Sequence, residues 1–371
     1  MEYELIATST FGIEAITARE LKDLGYDDLK VENGKVTFKG DDMDVAITNI
    51  WLRTADRILI KIKEFTARSF EELFQGTVNI PWGDIIPVDG KMHVVGKSIK
   101  STLFSVSDCQ SIVKKAVVES MKHKYKRDWF EEDGPIYKIE VALLKDVVTL
   151  TIDTSGAGLH KRGYRENAGA APLKETLAAA LVIISKWDNS KVLSDVFCGS
   201  GTIPIEAAMI GRNMAPGINR SFVCEEWPSM DPAIWNQVRE GARKAVNSED
   251  FKIFASDIDG RVLKTAKENA EKAGISQHIF FQKLPMQEFS SSKKGGYIIT
   301  NPPYGERLGE KKEVEELYKI LGSKYEKLNN WQFYVLTAYE GFENIFGYKS
   351  SKNRKLYNGK IKCYYYQYMN K

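Results

Sequence analysis

One apolar segment, the turn after it and the helix that follows constrain the fold of this chain most strongly. The segment covers residues 192–195, a glycine-rich turn covers residues 198–202, and an apolar helical pattern follows at residues 204–210. In an open α/β sheet, such a turn lets backbone amides approach a ligand at the carboxyl end of a strand. Further apolar segments alternate with helical patterns, at residues 251–256, 296–300 and 333–337. This alternation predicts a doubly wound, Rossmann-like sheet in the second half of the chain.

The turn lacks the features of two common phosphate-binding motifs. No Lys-Ser/Thr pair follows the glycines, which excludes a Walker loop. The third glycine of the dinucleotide fingerprint is missing, and Pro204 stands near its place. The next strand ends at Asp257, which is either a hydrogen-bond acceptor for ribose hydroxyls or only the N-cap of a helix predicted over residues 260–273. We predict that a nucleotide-like cofactor contacts Asp195, Phe197, Cys198, Gly199, Ser200, Gly201, Thr202, Asp257 and Ile258.

A second motif, Asn301-Pro302-Pro303-Tyr304, directly follows the apolar segment at residues 296–300. The two prolines fix φ and remove N–H donors, so the carbonyls of Asn301 and Pro302 project without neighbouring donors. The Asn301 side-chain oxygen and the Pro302 carbonyl can accept both hydrogens of an exocyclic amine, and Tyr304 is predicted to stack on its ring. Because two oxygens stabilise the charge that develops on the nitrogen, the reaction requires no strong base. The two motifs together predict methyl transfer from S-adenosylmethionine to a nitrogen on an aromatic ring.

The first half of the chain predicts two smaller α+β units. Residues 1–65 read as β-α-β-β-α-β with a tight hairpin at Asn33-Gly34, which is typical of a ferredoxin-like domain. Residues 66–155 contain an amphipathic helix with a lysine-rich face and a hairpin that turns at Lys145-Asp146. We predict a polar linker at residues 156–170, within a third domain that covers residues 156–371.

Charge is unevenly distributed along the 371 residues, although the net charge is only +3. Residues 91–127 carry nine Lys/Arg against two acids, and residues 347–371 carry seven Lys/Arg and no acid. Basic stretches bind phosphates, and interleaved aromatic residues stack on unpaired bases. We interpret residues 91–127 as a nucleic-acid surface. For residues 364–368 we favour a closing antiparallel hairpin with tyrosines in the core. A base inside a duplex cannot reach the amine site, so the target must be unpaired or flipped out.

Several classes of protein are disfavoured by the composition. The longest apolar stretch, residues 177–184, is far shorter than the ~20 residues of a bilayer helix, and no signal-peptide pattern begins the chain. We therefore expect a cytoplasmic protein. The four cysteines and four histidines are scattered, which indicates neither disulfides nor a metal site. Cys198 is predicted to be a packing residue, because no histidine is nearby in sequence to act as its base.

The residues of both motifs resemble those of a known family. Residues 195–202 and 301–308, together with residues 159–165, 171–175 and 215–217, are similar to the THUMP-containing class I RNA methyltransferases, in particular the 23S rRNA guanine-N2 methyltransferases. The resemblance implies a Rossmann-like methyltransferase domain preceded by ferredoxin-like and THUMP domains. It also implies a cofactor border at Pro172, Lys174, Glu175 and Thr176, and RNA contacts at Lys97, Ser98, Lys100, Arg162 and Arg165.

The chain departs from the family pattern at two places. Asp257 follows Asp195 by 62 residues, where about 20 are usual, and the surplus is an insertion at residues 211–250. We predict that this insertion helps to hold RNA through residues such as Arg212, Arg220, Trp227 and Trp235. Pro285 stands where many class I enzymes carry an acid for the adenine amine, so backbone groups near Met286 and Gln287 are expected to replace it.

Four functional alternatives remain open at this stage. The same tetrapeptide serves a guanine of transfer RNA or the N6 amine of adenine in DNA or RNA. Related motifs also methylate glutamine side chains, but the basic N-terminal units argue against a protein substrate. A non-catalytic RNA-binding ribosome-assembly factor is a different class, against which the intact Asp195, Gly199, Gly201, Asp257 and Asn301 speak. No obligate protein partner is indicated.

Overall fold

The computed structural model describes residues 2–165, 173–305 and 310–369. Within these residues the strands form two seven-stranded sheets, one in each half of the chain. The first half contains, in order, β1 (Tyr3–Ser9), α1 (Glu14–Asp23), β2 (Lys30–Glu32), β3 (Lys35–Gly40), α2 (Asp42–Trp51), β4 (Ala55–Thr66), α3 (Phe70–Val78), α4 (Trp82–Ile85), β5 (Lys91–Ile99), α5 (Val106–Tyr125), β6 (Ile136–Leu144) and β7 (Val147–Asp153).

The predicted ferredoxin-like and second α+β units share one sheet, which has the strand order β2-β3-β1-β4-β7-β6-β5. Strand β4 is twelve residues long. One edge of β4 pairs with β1 and the other edge pairs with β7. The sequence pattern showed two units but not that β4 would join them. The reason is that alternation along β4 identifies its faces and not its edge partners.

The predicted hairpin turn at Lys145 and Asp146 is present, and both residues have left-handed φ values of 53° and 65°. This conformation is the one that a two-residue hairpin turn requires. The Asp146 carboxylate accepts a hydrogen bond from the Thr102 backbone at 2.6 Å, and its backbone carbonyl accepts one from the Ala67 backbone at 3.0 Å. Non-glycine residues are therefore held in this turn by bonds to two neighbouring loops.

The second half contains α6 (Glu175–Ser185), β8 (Leu193–Asp195), α7 (Thr202–Gly211), α8 (Pro232–Lys244), β9 (Ile253–Asp257), α9 (Gly260–Lys272), β10 (Ile279–Lys283), β11 (Gly296–Thr300), α10 (Glu310–Lys327), β12 (Trp331–Thr337), α11 (Phe342–Phe346), β13 (Lys352–Asn358) and β14 (Ile361–Tyr368). The strand order is β10-β9-β8-β11-β12-β14-β13. Strands β8 to β12 are parallel, and β14 is antiparallel to both of its neighbours. The doubly wound prediction is confirmed, with an antiparallel hairpin added at one edge.

The C-terminal tyrosines alternate between the two faces of the sheet. Tyr365 is fully buried in the core cluster that includes α6 and α7, and its hydroxyl donates to the Leu181 carbonyl at 2.9 Å. Tyr366 and Tyr368 are buried on the opposite face, beside α10 and α11. The interpretation of residues 364–368 as a closing hairpin is confirmed.

The insertion at residues 211–250 is packed against the N-terminal sheet, so the prediction that its side chains hold RNA is wrong for its two tryptophans and stays a prediction for Arg212 and Arg220. Trp227 stacks on Tyr137 with ring centroids 4.7 Å apart and donates to the Ile136 carbonyl at 2.9 Å. Trp235 is 2% exposed. The guanidinium of Arg220 donates to carbonyls of the 157–161 segment, and that of Arg212 donates to the Asn247 carbonyl. The insertion therefore joins the two halves of the molecule.

Candidate active site

The two sequence motifs meet where the order of the C-terminal sheet reverses. Chain progression runs outward from β8 to β9 and β10 on one side, and resumes with β11 on the other. Ligands bind at such a switch point, at the carboxyl ends of the strands. A cavity of about 340 Å³ lies there, lined by Val196, Phe197, Asp257, Ile258, Pro285, Met286, Gln287, Asn301, Pro303 and Leu317.

The glycine-rich turn has the backbone conformation that its sequence predicts. Gly199 and Gly201 have φ values of 52° and 85°. A Cβ built at Gly199 would have no atom within 4 Å, so open space lies above this part of the turn. The Gly199 amide donates to the Asp257 carboxylate at 3.0 Å, which ties the turn to the end of β9. The turn and cavity fit a nucleotide-like cofactor, because backbone and carboxylate groups border a mostly apolar space.

Asp257 is not the N-cap of the helix that follows it. That role belongs to Asp259, whose carboxylate accepts a hydrogen bond from the Arg261 backbone at 2.9 Å. Asp257 accepts from the backbone amides of Gly199 and Asp259 with one oxygen each. Each oxygen has a second lone pair, so both can still accept hydrogen bonds at the cavity wall. The ribose contact of Asp257 stays a prediction.

Asp195 is the last residue of β8 and lies just before the glycine-rich turn. It is 2% exposed and accepts hydrogen bonds from the Thr300 hydroxyl at 2.6 Å and the Phe197 backbone at 3.2 Å. Burial raises the pKa of this carboxyl to about 7, although both hydrogen bonds lower it. Burial also raises the pKa of the Cys198 thiol, and the thiol packs in the core. Cys198 therefore lacks the surroundings of an activated nucleophile.

Asn301 lines the cavity at the start of the loop that follows β11. Asn301 follows the last residue of β11, and its side-chain oxygen accepts a hydrogen bond from the Tyr304 hydroxyl at 2.6 Å. The Pro303 carbonyl accepts from the Tyr318 hydroxyl at 2.7 Å. Among the hydrogen bonds of the described residues, none engages the Pro302 carbonyl. One lone pair of Asn301 and the carbonyl of Pro302 can thus accept hydrogens from an amine.

Models of three domain families match this chain. The model described as "RMKL-like, methyltransferase domain" covers residues 162–367, the RlmL ferredoxin-like domain covers residues 4–59, and the THUMP domain covers residues 67–153. The first model alone covers more than half of the chain. The chain belongs to the RMKL-like methyltransferase family. The predicted architecture of a Rossmann-like methyltransferase domain preceded by ferredoxin-like and THUMP domains is confirmed, and so is S-adenosylmethionine as the cofactor.

Two similar sequences illustrate the relationship. The putative RNA methyltransferase YpsC of Bacillus subtilis (strain 168) is 52% identical over all of this chain and 97% of its own length. The ribosomal RNA large subunit methyltransferase K/L of Colwellia psychrerythraea is 36% identical over 97% of this chain and 52% of its own length. The methyltransferase therefore spans about half the length of the K/L relative.

Three solved structures share the whole fold. A possible methylase from Clostridium difficile 630 is 48% identical with a TM-score of 0.97, covering 100% of this chain and 99% of its own. A predicted N6-adenine-specific DNA methylase from Listeria monocytogenes is 48% identical with a TM-score of 0.95, covering 100% and 97%. The putative methyltransferase SMU.472, complexed with SAH, is 43% identical with a TM-score of 0.95, covering 100% and 98%.

Of the predicted cofactor border at the start of α6, the three residues that the structure describes do not line the cavity. Pro172 lies outside the described residues. Lys174 caps α6 through its backbone, and the Thr176 hydroxyl donates to the Asp56 carboxylate of the N-terminal domain at 3.3 Å. Glu175 is 3% exposed, and burial raises its pKa to about 7. In this arrangement Glu175 and Thr176 have partners within the protein.

The prediction that Arg165 contacts RNA does not fit the structure. Its guanidinium is 7% exposed and forms an ion pair with Glu175 at 2.9 Å. It also donates to the Leu173 carbonyl and the Thr202 hydroxyl, each at 3.1 Å. Arg165 therefore connects the N-terminal ends of α6 and α7, beneath the glycine-rich turn. The Ser200 carbonyl in that turn accepts from the Asn269 side chain at 3.0 Å.

Arg162 is likewise buried, so its predicted RNA contact is also wrong for this structure. Its side chain is 2% exposed and forms an ion pair with Glu206, itself 0% exposed, at 3.5 Å. Three predicted RNA contacts lie at or just after the C-terminal end of β5: Lys97, Ser98 and Lys100. Trp227 contacts the other end of the β5–β6 pair, where β6 begins at Ile136. Lys97 is 55% exposed and pairs with Glu140 at 2.7 Å. The RNA role of these three residues stays a prediction.

Some residues of the site are not evident from the sequence. Thr300 supports Asp195, Tyr318 fixes the Pro303 carbonyl, and Leu317 lines the cavity from α10. Thr300 could have been found, because a hydroxyl at the end of a buried strand requires a hydrogen-bond partner. Tyr304 was expected to stack on the substrate, but here its ring packs on the core and its hydroxyl lies 3.6 Å from the Cys363 sulfur.

Neither a metal cluster nor a membrane-spanning helix is present in the described part of the chain. Among these residues, no group of three or more His, Cys, Asp or Glu is arranged to hold a metal ion. No described helix has the length and apolar character needed to cross a membrane.

Replacing Asp257 by alanine should weaken binding of S-adenosylhomocysteine about 10- to 100-fold, because charge-assisted hydrogen bonds to the ribose would be lost. Isothermal titration calorimetry measures this directly. The matched control is Asp259→Ala, which removes a carboxylate two residues further along and away from the cavity. That variant should lower thermal stability through loss of the cap and keep the wild-type affinity. Equal affinities for Asp257→Ala and wild type would contradict the cofactor role.

Proposed function

We propose that this methyltransferase transfers a methyl group to the exocyclic N2 amine of a guanine in RNA, and that the RNA is 23S ribosomal RNA. The observation that supports the proposal is the Asn301 loop, in which Asn301 lines the cavity and the Pro302 carbonyl has no hydrogen-bond partner among the described residues. An exocyclic amine offers two N–H donors, and its lone pair must point at the methyl group. Two acceptors held at the end of β11 orient the amine in this way.

The bound cofactor would supply an electrophilic methyl group on a sulfonium sulfur. The protein's own contribution is to hold the amine and to stabilise the positive charge that develops on its nitrogen. Asn301 and Pro302 do this with oxygens fixed by the strand end and the two prolines, so little reorganisation accompanies the reaction. The amine nitrogen would take the methyl group from the sulfonium sulfur, which would keep the bonding electrons, and the amine would then lose a proton to water. No residue of the cavity wall has to act as a strong base.

RNA as the substrate is supported by the THUMP domain and by the basic stretch at residues 91–127. The structure qualifies the charge argument, because acids from outside this stretch pair with several of its lysines. Examples are Lys97 with Glu140, Lys114 with Glu132 and Lys124 with Asp84. The names of the Bacillus and Colwellia relatives refer to RNA and to large-subunit ribosomal RNA. The name of the Listeria protein refers to adenine N6 in DNA, and the tetrapeptide suits either amine.

Mass spectrometry of digested RNA tests the proposal. Ribosomal and transfer RNA are isolated separately from a strain that lacks this gene and from its parent, and methylated nucleosides are quantified. We expect loss of N2-methylguanosine from 23S rRNA, restored by the wild-type gene but not by Asn301→Ala. Loss from transfer RNA, or loss of N6-methyladenosine, would keep the chemistry and replace the substrate. No change in any methylated nucleoside would contradict the proposal.

A further inference from the structure

We infer that the tip of the β13–β14 hairpin and a loop of the N-terminal domain together hold the nucleotide that flanks the target in the RNA. The surface consists of Phe11, Lys355, Tyr357, Lys360 and Lys362, and we call it the rim patch. This inference rests on the proposed function, because it names how that same site holds its substrate. Its occupant is an RNA strand that continues outward from the methylated nucleotide.

The rim patch lies at the same edge of the sheet as Asn301. Strand β14 pairs antiparallel with β12, with Tyr364 opposite Thr337 at the carboxyl end of β12. The start of β14 and the turn before it therefore lie at the catalytic edge. Cys363 in β14 is 3.6 Å from the Tyr304 hydroxyl, which donates to Asn301. A strand of RNA that delivers a base to Asn301 must pass close to this hairpin.

The N-terminal domain contributes an exposed ring to this edge. Phe11 is 46% exposed, and its ring centroid lies 5.8 Å from that of Tyr357 in an edge-to-face arrangement. Its neighbour Gly12 has φ of 96°, and a Cβ there would lie 2.5 Å from the Lys355 carbonyl. Ile13 is fully buried in the methyltransferase core. Phe11 is thus carried by a loop docked tightly on β13, and the two residues that follow it fix its position.

Positive charges surround the aromatic pair. Lys355 and Tyr357 are two residues apart in β13, and Tyr357 is paired with Lys362, so all three side chains share one side of the hairpin. The Lys355 ammonium lies 5.5 Å from the centre of the Tyr357 ring. Lys360 is exposed in the turn. Residues 347–371 contain no acid that could neutralise these lysines from within the segment.

The combination identifies the occupant. Lysines arranged along the path of a nucleic-acid strand bind its phosphates. Aromatic rings between these lysines stack on the bases, whatever the base sequence. A base that leaves its stack to enter the pocket deprives its neighbour of a stacking partner. Aromatic rings beside the pocket can replace that partner, which lowers the cost of extruding the target. A single exposed phenylalanine would be unremarkable, but here it is joined by a second ring and three cations at the catalytic edge.

The test compares Phe11→Ala and Tyr357→Ala with a matched control, Phe280→Ala. Phe280 is 56% exposed, and its ring forms an edge-to-face pair with that of Phe254 at 5.8 Å between centroids. It lies in β10, the outermost strand on the side of the sheet away from the β13–β14 hairpin. Both rim variants should weaken binding of a 23S rRNA fragment, and raise KM for it, by about tenfold. Affinity for S-adenosylhomocysteine should not change. Unchanged RNA binding in both rim variants, or equal losses in the control, would overturn the inference.

Two further variants test the rim patch. If Phe11→Ala does not fold, Phe11→Leu preserves the apolar contact without the ring and is judged by the same criterion. For the double variant Lys355→Ser, Lys362→Ser, the slope of log K for RNA binding against log salt concentration should become less steep. The change should be about 0.7 for each phosphate that the protein no longer neutralises. An unchanged salt dependence would overturn the cationic part of the inference. RNA binding is measured without catalysis, so it judges the rim patch even if the wild-type protein methylates no RNA and the proposed function fails.

Discussion

The Asn301→Ala variant is expected to lose about 10²- to 10³-fold in kcat, the usual cost of removing one preorganised group that stabilises developing charge. The amide oxygen is the acceptor that the structure holds most firmly at the cavity, at the end of β11 and bonded to Tyr304 at 2.6 Å. Alanine removes that oxygen and leaves the Pro302 carbonyl as the remaining acceptor. Because Asn301 lies on the amine side of the cavity, affinity for S-adenosylhomocysteine should remain within about twofold of wild type.

Single-turnover methylation of a 23S rRNA fragment measures this loss, and calorimetry with S-adenosylhomocysteine confirms an intact cofactor site. The informative control is Tyr304→Phe, which keeps the ring and removes only the hydroxyl that donates to Asn301. That change frees the second lone pair of the amide oxygen, so we expect less than about a tenfold effect on kcat. If Tyr304→Phe were as damaging as Asn301→Ala, the hydroxyl and not the amide oxygen would be the group that matters.

The positions of the site could be predicted because they depend on local sequence. Glycines in a turn after an apolar strand require a left-handed backbone, and Gly199 and Gly201 adopt it. The sequence predicts Asp257 and Asn301 beside the turn, because parallel strands bring their carboxyl ends to one edge. The cavity wall contains both residues. The C-terminal hairpin could also be predicted from local sequence, because its tyrosines alternate with the two-residue period of a β-strand.

The partners of charged and aromatic side chains could not be predicted in the same way. A basic residue near a motif can contact RNA or a buried acid, and Arg162 and Arg165 have buried acids as partners. Glu206 is 44 residues from Arg162, and Glu175 belongs to the helix that begins after Arg165, so neither pair is visible as a local pattern. The tryptophans of the insertion present the same problem. Trp227 suits base stacking in composition, but the N-terminal sheet supplies Tyr137 as its partner.

The buried ion pair of Arg162 and Glu206 is expected to be the contact whose disruption costs the most stability. Glu206 in α7 is 0% exposed, and it accepts from Arg162 at 3.5 Å and from the Tyr164 hydroxyl at 3.0 Å. The same guanidinium donates to the carbonyls of Leu159 and Arg53, so it cannot turn toward solvent without breaking them. Glu206→Ala would leave a charge buried without its counterion, which typically destabilises a protein by about 3 to 5 kcal/mol.

Urea unfolding followed by tryptophan fluorescence measures this change, with Glu240→Ala as the matched control. Glu240 also pairs with a basic residue, Lys244 at 2.6 Å, but both side chains are more than 60% exposed on α8. Surface pairs of that kind contribute less than about 1 kcal/mol, because water solvates both charges in either state. Glu206→Gln should fall between the two, since it keeps an acceptor for Tyr164 and loses only the charge. A loss below about 1 kcal/mol for Glu206→Ala would mean that water reaches Arg162 and that this interface is looser than its burial indicates.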